Sequence, residues 1–184
     1  DPKGDHYLRH VLQMAAARAG VAFREWTPTG PTVYNPFGRG GPTEVADKAL
    51  AGHQWSEPHY ELATQRLLGH VLATMRAAGE WPPTLSQIVR YMDPDRLDGL
   101  ASEVGGEVAE RVVAYVDSLS ARARADLGGG RDRLAVLAEG DICCWLDPSI
   151  NRGRGLGSAF EQPPRIDFAK SLRCREVVYM HIDA

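Results

Sequence analysis

Apolar residues recur along most of this chain at helical spacing. Over residues 6–19, Leu8, Val11, Leu12, Ala15 and Ala19 fall on one stripe, and Gly20 closes the helix. Two short extended runs follow, at 22–26 and 32–34, separated by the turn Thr27-Pro28-Thr29-Gly30-Pro31. The next segment, 36–42, holds three glycines between two prolines and reads as a boundary loop.

Beyond that loop the pattern is helical for a long stretch. Thr43 is expected to cap a helix through Ala51, and Ser56 the next, whose stripe is Tyr60, Leu67, Leu68, Val71, Leu72 and Met75 before Gly79. Thr84 with Gln87 has the form of a capping box ahead of Leu85, Ile88, Val89 and Met92. Asp93-Pro94 joins a capping side chain to a proline at the first helical position, where the missing N–H costs nothing. Leu97, Leu100, Ala101 and Val104 face inward from that helix; Val108, Val112, Tyr115, Val116 and Leu119 do so from the next. Gly128-Gly129-Gly130 is expected to interrupt the charged helical region that leads to Leu134 and Leu137.

The periodicity loosens from Ile142. Residues 151–164, rich in Gly, Arg and Pro, read as a loop, and Asp167 as the cap of a short helix over 168–173. The run 176–182 is apolar and β-branched, which suits a buried strand of a parallel sheet with neighbours on both sides. Few candidates for those neighbours exist in the chain. The arrangement is thus an α/β edge, a helical insertion and a return to a strand.

Hydrophobic residues make up 43% and charged residues 24%, enough for a buried core. The formal net charge of −3 excludes a generally basic nucleic-acid binder. No apolar run approaches the roughly 18–20 residues of a membrane span. The opening Asp1-Pro2-Lys3 has neither an initiator Met nor the regions of a signal peptide, and reads as internal to a longer protein. Cys143, Cys144 and Cys174 lack the spacing of a disulfide framework or zinc site and are read as buried thiols of a reducing compartment.

The opening Asp1-Pro2-Lys3-Gly4-Asp5 resembles the segment that follows the strand after the phosphate-binding loop in VirD4/TraG-type conjugative coupling proteins, type IV secretion ATPases of the FtsK/HerA-like RecA motor superfamily. Residues 26–36, ending in Tyr34-Asn35-Pro36, resemble the Asn-Pro element by which such proteins leave the motor core for an inserted all-α domain. Val177-Val178-Tyr179 looks like the strand that re-enters the core. The resemblance implies a mainly α fold, a multi-helix all-α domain inserted in a partial α/β RecA-like core. Its parts would be 1–38 (partial nucleotide-binding domain), 39–165 (all-α domain) and 166–184 (helix and strand returning to the core). It also implies a parent that binds ATP and Mg, is hexameric and is membrane-tethered on the cytoplasmic side. Partners would be a relaxase or another secretion substrate protein, with single- or double-stranded DNA. Neither a Gly-x-x-x-x-Gly-Lys-Ser/Thr loop nor an acidic Walker B strand occurs in the chain, so this part is expected not to hydrolyse ATP and to need no cofactor of its own.

Asp1, Lys3 and Asp5 are then expected beside the nucleotide in the parent, with Asp5 as a helix cap the plainer alternative. Arg152, Arg154, Arg165, Lys170, Arg173 and Arg175, set against only Glu161 and Asp167, form the expected DNA contact. His6 and His10 have the i, i+4 spacing of metal ligands but no evident third partner. Arg122, Arg124, Arg131 and Arg133, mixed with Asp126 and Asp132, read as a salt-bridged surface. Residues 39–165 carry 14 Lys+Arg and 18 Asp+Glu, a balance that favours protein partners over DNA wrapping. The resemblance implies that this part recruits the relaxase and DNA substrate to the transfer motor, and two other functions compete with that recruitment role. One is a metal-dependent hydrolase using Asp1, Asp5 and His6; the other is a helix-turn-helix regulator over 84–104, whose second helix carries Asp93, Asp95, Asp98 and Glu103 against Arg96 alone.

Overall fold

The computed structural model describes residues 5–55, 57–150 and 164–182. In chain order the elements are α1 (His6–Ala19), β1 (Phe23–Trp26), β2 (Val33–Tyr34), α2 (Pro42–Leu50) and α3 (Pro58–Ala77). There follow α4 (Leu85–Tyr91), α5 (Pro94–Val104), α6 (Gly106–Asp117), α7 (Ala121–Glu139), α8 (Cys143–Leu146), β3 (Arg165–Ile166), α9 (Phe168–Arg173) and β4 (Val177–Met180). The chain is mainly helical with a few short strands. No described helix is long and apolar enough to cross a membrane. Two compact units form: Pro36–Glu139, and a second made of the described residues up to Asn35 together with those from Gly140 onward.

In the α/β unit, β1 pairs in parallel with β4, Phe23 opposite Val177 through Trp26 opposite Met180. β2 pairs in parallel with β3, Val33 opposite Arg165 and Tyr34 opposite Ile166. β4 is parallel as expected, but only Tyr179 of its four residues is fully buried. Among the described residues it has one strand neighbour, so the flanking cover that its composition suits is not supplied. The face of α1 also differs from the sequence pattern. Arg9, Leu12 and Ala16 are its covered positions, while Leu8 and Val11 are 40% and 43% exposed. The cause is a two-pronged bond from the Arg9 guanidinium to the Glu25 carboxylate on β1, which sets the rotation of the helix. Trp26 is buried and donates its indole N–H to the Trp145 carbonyl at 3.0 Å. The turn before β2 closes on the same tryptophan. At Gly30, with φ +109°, a Cβ would lie 2.6 Å from the Trp145 ring. Of the cysteines, Cys143 is buried, Cys144 is half-buried beside the Asp141 carbonyl at 3.1 Å, and Cys174 is exposed rather than buried.

The helical unit is built around α3. Its Leu67, Leu68, Val71, Leu72 and Met75 are wholly buried, and Leu85, Ile88, Met92, Leu97, Val112 and Leu134 close round them. Local chemistry sets most of the helix starts. Thr84 and Gln87 make both bonds of a capping box, and Asp93 accepts from the Asp95 and Arg96 amides with Pro94 at the first helical position. Two starts differ from expectation. Gly41 rather than Thr43 precedes α2, because Pro42 takes the first helical position; α3 likewise starts at Pro58 after Glu57. The expected cap Ser56 lies outside the described residues.

The glycine triplet does not interrupt its helix: α7 runs unbroken through it. The reason is packing. Leu127, Gly130 and Leu134 form the buried stripe of α7, and a Cβ at Gly130 would lie 2.6 Å from Thr64 Cγ2 on α3, closer still to its hydroxyl. Close approach of the two helices therefore requires glycine at that one position, which outweighs its poor helix propensity. Gly128 and Gly129 have open space in the Cβ direction. Gly130→Ala is accordingly expected to cost about 1–3 kcal/mol through overpacking. Gly129→Ala should gain roughly 0.5–1 kcal/mol through helix propensity. Urea denaturation of the two variants checks the pair, and equal effects of one sign would contradict the packing account.

Candidate functional site

Asp1 and Lys3 lie outside the described residues. Asp5 is the N-cap of α1, accepting from the Tyr7 and Leu8 amides at 2.8 and 3.1 Å. Its carbonyl accepts from the Tyr179 hydroxyl at 3.2 Å, which ties the start of α1 to β4. His6 and His10 are exposed on α1. Among the described residues no group of three or more His, Cys, Asp or Glu is placed to hold a metal ion.

Ion pairs join the elements of this unit. Arg9 on α1 binds Glu25 on β1, the second prong at 2.6 Å, and this bond holds the Glu25 carboxyl below its ordinary range. Arg24 on β1 meets Glu176 at the entry to β4 at 3.0 Å, and the Ser171 hydroxyl donates to the same carboxylate at 2.8 Å. Those contacts, that with Arg24 foremost, lower the Glu176 carboxyl as well.

The expected DNA contacts divide. Arg152 and Arg154 lie outside the described residues. Arg165 is exposed on β3, and Lys170 and Arg173 are exposed on α9, where their i, i+3 spacing puts them on one side of the helix. Arg175 follows, exposed, in a left-handed backbone conformation with φ 55°. The nearby acids have structural tasks: Asp167 caps α9 through the Ala169 and Lys170 amides, and Glu176 engages Arg24. Phe168 and Leu172 are 41% and 80% exposed in the same stretch. The result is a short cationic, partly apolar surface on the return into the sheet.

In the helical unit Arg124, Arg131 and Arg133 of α7 have partners. Arg124 meets Asp95 at 2.8 Å and Arg131 meets Asp93 at 3.4 Å, both at the start of α5, rather than the nearby Asp126 and Asp132. Arg133 donates to the Gln54 carbonyl at 2.7 Å and lies 4.6 Å from the Trp55 ring centroid. The first turn of α5, which a helix-turn-helix reader would present to DNA, is thus acidic and engaged with α7.

A groove runs between α3 and α6. It is lined by Arg66, Gly69, His70, Ala73, Thr74, Val108, Arg111 and Val112, with a volume of about 270 Å³. His70 stacks on Tyr115 at 4.4 Å, and the Arg66 guanidinium lies 5.0 Å from the same ring. Burial, then the charges of Arg66 and Arg111, push the His70 imidazole below its ordinary value, which favours its neutral form. Val108 fits the core stripe of α6, so periodicity alone gave no sign that it faces an opening. The small Gly69 and Ala73 on the exposed side of α3 were the available signal.

The Arg9–Glu25 pair makes a pH-dependent contribution. Because the folded Glu25 carboxyl is lowered, that contribution is complete above its ordinary value of 4.5 and is lost as pH falls through the lowered folded value. Glu25→Gln is expected to cost about 1 kcal/mol near neutral pH. The gap between wild type and variant should close in acid. Urea denaturation in steps from pH 7 to pH 2 measures it, and a gap independent of pH would contradict the assignment.

No protein-family model, no curated protein and no solved structure matches this chain.

Proposed function

We propose that this chain is the substrate-recruitment part of a VirD4/TraG-type conjugative coupling ATPase, with the helical unit as an insertion in one edge of a RecA-like core. The observation that carries the reading is the parallel pairing of β1 with β4, with the whole helical unit between them in sequence. Parallel neighbours need a crossover connection, and an α/β core tolerates a large insertion there. The segment before β1 and the Tyr34-Asn35-Pro36 exit add the sequence resemblance.

In this reading the part is non-catalytic by itself. ATP and Mg belong to the parent, a membrane-tethered hexamer, where Asp1, Lys3 and Asp5 border the nucleotide. Asp5 would then serve both as helix cap and as a pocket-edge group. Relaxase or another secretion substrate docks on the helical unit, whose charge balance of 11 Lys+Arg to 15 Asp+Glu over residues 36–139 suits a protein surface better than a DNA wrap. DNA follows the basic return through Arg152, Arg154, Arg165, Lys170, Arg173 and Arg175. The exposed Phe168 and Leu172 supply apolar surface beside it.

The test is binding of a single-stranded oligonucleotide across a salt series, followed by fluorescence anisotropy. Wild type is expected to bind with salt-sensitive affinity. In a variant with Arg152, Arg154, Lys170 and Arg173 all changed to Ala, the dependence of log K on log salt should flatten by about 0.7 for each phosphate no longer neutralised. An unchanged slope would remove this segment from the DNA path. Absence of binding at low salt would leave protein recruitment alone.

A further inference from the structure

We propose that the α3–α6 groove of the helical unit docks an acidic, apolar segment of a partner protein, one carboxylate lying between Arg66 and Arg111 and a neighbouring apolar side chain on Gly69, Ala73, Val108 and Val112. The groove's chemistry holds whether or not the parent is a motor.

The floor and walls of the groove are apolar or small. The Thr74 hydroxyl is occupied with the His70 carbonyl at 2.8 Å, so it adds little polarity to the lining. With His70 favoured in its neutral form, the charge of the site comes from two guanidinium groups. Arg66 is held beside the Tyr115 ring, which reduces the ordering that a ligand must impose. Arg111 touches the Glu107 carboxylate at 3.9 Å and its carbonyl at 3.4 Å, both well exposed, a loose pairing that a ligand carboxylate can replace. At about 270 Å³ the space is just below the roughly 300–1,000 Å³ of small-molecule sites, and it suits side chains of a short segment. Nucleic acid fits less well. Its phosphates would meet an apolar floor, and a long polyanion would be repelled by the surplus of acids in the unit. A single carboxylate flanked by apolar side chains meets neither obstacle.

Gly-Leu-Glu-Phe-Gly-amide carrying fluorescein on its N-terminal amine is mixed with the full chain, with the Leu-Gln-Phe counterpart and an oligothymidylate for comparison. Binding is read by anisotropy and by amide chemical shifts. The Glu peptide is expected to move the Gly69, Ala73 and Val112 amides and to bind at least tenfold more tightly than the Gln peptide. Arg66→Gln with Arg111→Gln should erase that difference. Gly69→Leu is the decisive variant: a Cβ at Gly69 meets nothing within 4 Å, so the helix accepts the side chain, which then fills the groove. It should melt no lower than wild type and fail to bind the peptide. Three results would overturn the proposal: no shift at groove residues with millimolar peptide, undiminished binding by Gly69→Leu, or oligothymidylate displacing the peptide from the same amides.

Discussion

The parallel bond ladder between β1 and β4 joins residues at opposite ends of the described chain, and the architecture follows from it. Closing so long a connection costs entropy that must be recovered by what the strands bring together. Here that is Trp26 and Tyr179 in the interior, the Arg24–Glu176 pair at the strand entry, and α1, fixed to β1 through Arg9 and to β4 through the Tyr179 hydroxyl. Among the described residues, this pairing and the short β2–β3 bridge, two separate two-stranded sheets, each join the two halves of the α/β unit. Without them the helical unit would be a domain between two tails rather than an insertion.

The helical unit is organised differently. Its core rests on the fully buried stripe of α3, against which α2, α4, α5, α6 and α7 all pack. Two devices orient α7 on that core: the missing side chain at Gly130, which lets it approach Thr64, and the ion pairs from Arg124 and Arg131 to the start of α5. Asp93 serves twice, as cap of α5 and as partner of Arg131. Arg124 and Arg131 are thereby engaged within the unit. Arg66 and Arg111 line an apolar groove, the first over the Tyr115 ring and the second loosely paired with Glu107.

What the sequence revealed was chemistry confined to a few neighbouring residues. The capping box at Thr84 and Gln87, the Asp93-Pro94 start and the Asp167 cap need only a side chain and the next turn, so their spacing is enough. Features set by distant partners were not legible. The rotation of α1 depends on Glu25, sixteen positions beyond Arg9. The tolerance of α7 for three glycines depends on Thr64. Proline at the first helical position displaced the expected cap of α2, a local rule outweighed by a stronger local rule. Of the candidate site residues, Arg165, Lys170, Arg173 and Arg175 are exposed, and Asp5 is engaged as a cap. The groove escaped notice because Val108 and Val112 carry the same periodicity whether they meet a core or an opening.

Amide hydrogen exchange measures the β1–β4 ladder most directly. The Val177 amide donates to the Ala22 carbonyl and the His181 amide to that of Trp26, one at each end of the ladder. If the helical unit is an insertion between paired strands, these two amides should exchange slowly and together, and Arg24→Ala should speed both while leaving the amides of α3 protected. Fast exchange at Val177 and His181 beside a protected α3 would mean that the strands do not pair in solution, and the account of an inserted helical unit would fail.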